Sequence, residues 1–137
     1  MTNATDFILL NTLLNTKLQK GVEGQLNIHG ISFTEFMIMH QLMQAPNHTL
    51  RRIELADQIS ITASGVTRVL APMEKNKLVE KQANPRDARV SLVKLTDVGE
   101  RVYSEALVGF EHSAEGLMSI LSAGQLGEML KLSRKLL

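Results

Sequence analysis

Between Leu50 and Leu95 the spacing of apolar residues changes its period, and that change restricts the fold more than any other feature of the chain. Leu50 to Ile59 carries Ile53, Leu55, Ala56 and Ile59 at helical intervals and reads as a short helix. After a brief turn at Ser60 and Ile61, the stretch from Thr62 to Val79 sets Val66, Val69, Leu70 and Met73 at the spacing of a helix that buries one stripe. Beyond Lys77 the period drops to two. Leu78 to Gln82 and Arg89 to Leu95 alternate or carry β-branched residues, which predicts two strands. The segment between them, Ala83-Asn84-Pro85-Arg86-Asp87-Ala88, is rich in turn formers and carries charge at its tip. Two short helices across a tight turn, followed directly by a hairpin, make a winged helix-turn-helix.

The second of these helices has an outer face suited to a groove. Its tip, Thr62, Ala63, Ser64 and Gly65, is small and uncharged, and Thr67 and Arg68 lie opposite the buried stripe. Arg bonds bidentately to guanine, and Ser or Thr reaches bases or phosphates. Gly65 costs roughly 1 kcal/mol against Ala inside a helix, a cost that close approach to DNA would offset. On the hairpin tip, Arg86 and Arg89 are placed for a flanking minor groove, with Asp87 able to brace Arg89. Arg51, Arg52, Lys75 and Lys81 are further candidates for phosphate contacts, which position a protein without reading sequence. Pro72 removes one hydrogen bond inside this helix and predicts a bend or an early end there.

Charge is distributed to match. The net charge of +1 conceals a basic centre, since residues 51–94 hold nine Lys and Arg against five acids, while the flanks hold six against nine. The 137 residues suit a single domain spanning 1–137, with a DNA-binding lobe at about 32–95 and dimerisation helices at about 5–28 and 96–137. Aromatic content of 4% with no Trp predicts an aliphatic core and argues against stacking on single strands. The absence of Cys excludes disulfides and thiolate metal ligands. Histidines 29, 40, 48 and 112 match no paired-ligand spacing, so no metal and no cofactor are expected, and His40 lies beside the apolar stripe of its helix. No nucleophile–His–acid spacing or phosphate loop points to an enzyme. No signal pattern or apolar run of membrane-spanning length is present, so a cytoplasmic protein is expected.

The flanks read as helices. Residues 5–26 put Phe7, Leu10, Leu14, Leu18, Val22 and Leu26 on one stripe, widened by Ile8, Leu9 and Leu13. Such a stripe either enters the chain's own core or meets a second subunit. Ser32 and Glu35 have capping-box spacing and open a helix that ends at Ala45-Pro46-Asn47. Thr96 caps a long helix to about Leu121, carrying Val98, Val102, Ala106, Phe110, Ala114, Leu117 and Leu121. Ser122 and Gln125 open a last helix, with Leu126, Met129, Leu130, Leu136 and Leu137 apolar to the end of the sequence. Phe7, Leu10, Leu14, Leu117, Leu121, Leu130 and Leu136 are the candidate dimerisation residues.

Five blocks in order resemble the MarR/SlyA family of bacterial winged-helix transcriptional regulators. They are Arg52-Ile53-Glu54-Leu55-Ala56-Asp57, Ser64-Gly65-Val66-Thr67-Arg68-Val69-Leu70, Met73-Glu74-Lys75-Asn76-Lys77-Leu78-Val79-Glu80-Lys81, Asn84-Pro85-Arg86-Asp87-Ala88-Arg89 and Leu95-Thr96-Asp97-Val98-Gly99. The resemblance implies a mainly α (α+β) fold, with a two-stranded wing and with N- and C-terminal helices that pair two subunits. It implies a homodimer on palindromic operator double-stranded DNA, usually a repressor, often relieved by a small aromatic or amphipathic effector. It also implies that Arg89 enters the minor groove. The chain departs from the family pattern at Ala88, where similar proteins carry Arg, and at Lys77, where they commonly carry Gly. A winged-helix protein-interaction module without DNA binding is the alternative.

Overall fold

The computed structural model describes residues 1–137 and runs α1 (Asn3–Asn27), α2 (Phe33–Gln44), a 3-10 turn (Pro46–His48), β1 (Thr49–Arg51), α3 (Arg52–Gln58), α4 (Ala63–Lys75), β2 (Val79–Ala83), β3 (Ser91–Leu95), α5 (Asp97–Leu117) and α6 (Ala123–Leu136). The helix-turn-helix is α3–α4 and the wing is β2–β3. The sheet has three strands rather than two, in the antiparallel order β1-β3-β2, with both Leu50 and Lys81 opposite Val93. β1 is three residues long, too short to show a period, so Leu50 reads from the sequence as the start of a helix. It is in fact buried strand, and α3 begins at Arg52.

Helix starts follow the capping chemistry. The hydroxyls of Ser32, Thr62, Thr96 and Ser122 each accept a hydrogen bond from the backbone N–H three residues on. Ser32 and Ser122 complete capping boxes with Glu35 and Gln125. α5 stops at Leu117, four residues short of Leu121, because Met118–Leu121 form a turn in which Ser119 Oγ donates to the Gly116 carbonyl at 2.8 Å. Leu121 therefore lies in the connection to α6. Helix α4 runs on past Pro72 to Lys75, so the proline does not end it early.

Two left-handed turns bracket α4. Before it, Ser60 (φ 57°) lets Ile61 N–H reach the Ala56 carbonyl at 3.0 Å. After it, Lys77 (φ 61°) donates to the Glu74 carbonyl at 3.0 Å, while Leu78 N–H donates to that of Met73 at 2.9 Å. This is a Schellman cap built on lysine where glycine is usual. The carbonyls it exposes are taken by Thr96, whose hydroxyl lies 2.6 Å from the Lys77 oxygen and 3.0 Å from that of Leu78.

The core is mainly aliphatic: Leu26, Ile38, Met39, Leu42, Leu55, Leu70, Met73 and Val93 are fully buried. Its seam with α5 is aromatic instead. Phe36 stacks between Tyr103 at 5.1 Å and Phe110 at 4.7 Å, and His40 Nδ1 bonds the Tyr103 hydroxyl at 2.7 Å. Burial of the Tyr103 hydroxyl, and secondarily the charge of Glu111, pushes its pKa up.

A side chain at Gly99 would collide with the Leu78 carbonyl oxygen and press on Leu95. Gly99→Ala should therefore destabilise the fold by about 1–3 kcal/mol. Lys77→Gly should stabilise it by roughly 0.5–1 kcal/mol, as relief of the left-handed strain outweighs the entropy glycine loses on folding. Urea unfolding of both variants checks the pair; a neutral Gly99→Ala would show that α5 is not seated on Leu78.

Candidate nucleic-acid interface

The residues expected to read DNA fall on two consecutive elements. On α4, Thr62, Ala63, Ser64, Thr67, Arg68, Ala71 and Lys75 are exposed, while Val66, Leu70 and Met73 are buried on the opposite side. That stripe anchors α4 against the rest of the lobe, and the outer face is left without a partner. Pro72 is exposed on the same face.

Not all of these side chains are equally available. Thr62 is the N-cap, accepting from Gly65 N–H at 3.0 Å, and its oxygen is 3.1 Å from Ser64 Oγ. Gly65 is half-buried, and a Cβ there would sit 3.1 Å from the Thr62 hydroxyl and 3.6 Å from Ile61 Cδ1. A side chain there would sit tightly against the cap, a contact that only the folded helix start shows. The chain's ion pairs are Arg51–Glu54, Arg52–Glu74 and Arg89–Asp87, with His48 Nδ1 3.7 Å from Glu100, which leaves Arg68 and Arg86 without a carboxylate partner.

At the wing tip, Asn84 Oδ1 accepts from Arg86 N–H at 2.9 Å and so turns the chain. Asp87 accepts from Arg89 three times: from its N–H at 3.0 Å, its Nε at 3.2 Å and its Nη2 at 3.4 Å. The side-chain bond from Arg89, and then the bond from its backbone, hold the Asp87 carboxyl below the usual carboxylate range. Arg89 remains 91% exposed despite the brace, so its guanidinium is aimed rather than buried.

Arg51 and Arg52, read from the sequence as phosphate candidates, are both engaged inside the chain. Arg51 N–H donates to Glu54 at 2.9 Å, and chiefly for that reason the Glu54 carboxyl sits below its ordinary pKa. Arg52 Nη2 is 2.8 Å from Glu74 Oε1, tying α3 to α4 across 22 residues. No local spacing could have signalled that pair.

Away from this face, α1, α2 and α5 line an open cleft of about 280 Å³, walled by Leu18, Val22, Phe33, Phe110, Leu117 and Met118. His40 is not among its walls. No group of three or more His, Asp or Glu is placed to hold a metal ion. No helix is long and apolar enough to cross a membrane.

A capped recognition helix, a braced wing and a three-stranded sheet define a winged-helix protein. The MarR family model matches residues 31–91. The transcriptional repressor MprA of Escherichia coli is 28% identical over 133 residues, covering 95% of this chain and 76% of its own. The transcriptional regulator MhqR of Bacillus subtilis is 26% identical over 128 residues, covering 91% and 86%. Among solved structures, a mutant MarR of Escherichia coli complexed with operator DNA superposes with a TM-score of 0.87 at 23% identity, covering 96% of this chain and 94% of that one. The MarR-family regulator Sco3205 of Streptomyces coelicolor, also in complex with DNA, gives 0.87 at 24% identity, covering 99% and 90%. The chain is therefore similar to the MarR family, most directly over residues 31–91.

The brace has a direct test. In an NMR titration the Asp87 carboxyl should titrate below the ordinary aspartate value of about 3.9 and return towards it in Arg89→Ala. An unmoved titration in that variant would mean that Asp87 does not hold Arg89 in solution.

Proposed function

We propose that this protein is a homodimeric, sequence-specific DNA-binding transcriptional regulator, a repressor of palindromic operators that acts in the cytoplasm rather than an enzyme. The observation that carries the reading is the outer face of α4, where Arg68 stands exposed and without a carboxylate partner between Thr67 and Pro72 on a helix capped at both ends. Ser64, Thr67 and Arg68 read base edges or adjoining phosphates, Thr62, Ala63 and Gly65 form the tip that admits the helix, and Arg86 and Arg89 enter the flanking minor groove, with Asp87 as brace. The similar MarR of Escherichia coli, complexed with operator DNA, and Sco3205, in complex with DNA, support this reading. The chain works as one domain, with a reading lobe at about 32–95 flanked by pairing helices.

The terminal helices support the dimer. Residues 1–17 and most of α6 are exposed in the single chain, with Phe7 at 51%, Leu10 at 64% and Leu136 at 74%. A lone chain would leave this apolar surface in water, and covering it gains roughly 1.5–3 kcal/mol per large side chain. Leu121 is half-buried, and Leu14 and Leu130 add to this exposed apolar surface. Leu117 belongs to it less, because its side chain already packs over Gly21 within the chain. In the dimer, two copies of α4 read half-sites ~34–36 Å apart. A small aromatic or amphipathic effector fits the cleft beside Phe33 and Phe110, where filling it would shift the pairing helices against the reading lobe.

Selection of duplexes from a random pool should return a palindrome. Arg68→Ala should lose roughly 1–3 kcal/mol of discrimination at one position, and Arg89→Ala should weaken binding with the core preference retained. Affinity should fall steeply with salt; a salt-insensitive protein that selects no sequence would be a protein-interaction module instead. Leu10→Glu combined with Leu136→Glu should sediment as a monomer and lose the two-half-site footprint. For the effector, a series of benzoate-sized acids should raise the melting temperature of the wild type but not of Ala114→Phe, which narrows the cleft. An equal rise in both would place the ligand elsewhere.

A further inference from the structure

Thr67 differs from the two threonines in the body of α1. Thr12 and Thr16 donate their hydroxyl protons to carbonyls one turn back, those of Ile8 at 2.9 Å and Thr12 at 3.2 Å. That is a common bond for threonine in a helix. Thr67 does not make it. Its Oγ1 instead lies 3.5 Å from Nη1 of Arg52, which reaches across from α3.

The sense of this bond is fixed by chemistry. A guanidinium has donors and no acceptor, so Arg52 donates and Thr67 accepts. The single hydroxyl proton of Thr67 is left unspent within the chain, on the exposed face of α4. The guanidinium is itself immobilised, because its Nη2 is 2.8 Å from Glu74 Oε1 and its side chain is only 22% exposed. Thr67 and Glu74 are seven residues apart, two turns along one side of α4. One planar group therefore spans both, a geometry that a lysine ammonium does not reproduce.

We propose that Arg52 is a positioning residue for base readout rather than a phosphate contact: it holds the Thr67 hydroxyl as a hydrogen-bond donor towards the DNA. A donor there favours acceptor edges, N7 and O6 of guanine or O4 of thymine, over the amino group of cytosine. Pairing with Glu74 removes the net charge that a phosphate contact would need. This rests on the DNA-binding reading above and adds a residue that acts through another.

The test is selection from a random duplex pool with wild type, Thr67→Val, Arg52→Lys and the charge-balanced double variant Arg52→Gln/Glu74→Gln. One position in each half-site should prefer an acceptor base in the wild type and lose that preference in Thr67→Val. The same position, and no other, should relax roughly five-fold in the double variant, about the value of one ordinary hydrogen bond. Arg52→Lys should relax it as well. The slope of log affinity against log salt should stay unchanged in the double variant. A slope smaller by about one with intact base preferences would make Arg52 a phosphate contact and overturn the proposal. Weakening of all sequences alike, in step with a lowered melting temperature, would reduce Arg52 to a brace of the fold and overturn it too. If the wild type selects no sequence at all, the DNA-binding reading fails first and this inference falls with it.

Discussion

The carbonyl oxygen of Leu78 is the point on which three parts of the molecule meet. It accepts from Thr96 N–H at 3.0 Å and from the Thr96 hydroxyl at 3.0 Å, and Gly99 passes directly beside it. Thr96 in turn caps α5 by accepting from Gly99 N–H at 2.9 Å. One residue therefore ends the turn after α4, starts the wing and seats the long helix. Groups that form hydrogen bonds in a buried setting are costly to leave unpaired, so the three elements cannot drift apart independently. The orientation of α4 relative to α5 is set here.

Around that junction the side chains of the reading face divide into those already engaged and those left over. Thr62 uses its hydroxyl as a cap, the guanidinium groups of Arg51 and Arg52 are held by Glu54 and Glu74, and the carboxylate of Asp87 is held by Arg89. Arg68 and Arg86 have no carboxylate partner. A helix held rigidly by its buried stripe and presenting unspent donors outward loses little entropy when it meets a ligand that accepts them. The same economy explains the ends of the chain. α1 and α6 leave their apolar stripes uncovered, which is unfavourable for a lone chain and favourable once a second copy covers them.

Much of this architecture is legible in the linear order of residues, because the signals are local. Caps at Ser32, Thr62, Thr96 and Ser122, the stripe Val66, Leu70 and Met73, and the period-two runs of the wing act over a few residues each. They decide the succession of helices and strands, the basic centre with Arg68 and Arg89 at its tips, and the family that the blocks resemble.

What could not be read this way depends on partners far apart in the chain. β1 is strand only because Leu50 finds Val93 across the sheet, and a three-residue run has no period of its own. Lys77 holds a left-handed turn, where glycine was the expected residue, because Thr96 captures the carbonyls of that turn. Arg52 reads in sequence as a free cation at a helix start; folding sets it against Glu74 and beside Thr67 and so changes what it can do. Local propensity chooses the elements, whereas the charge and hydrogen-bonding capacity left at the surface are decided by pairings that exist only once those elements have packed.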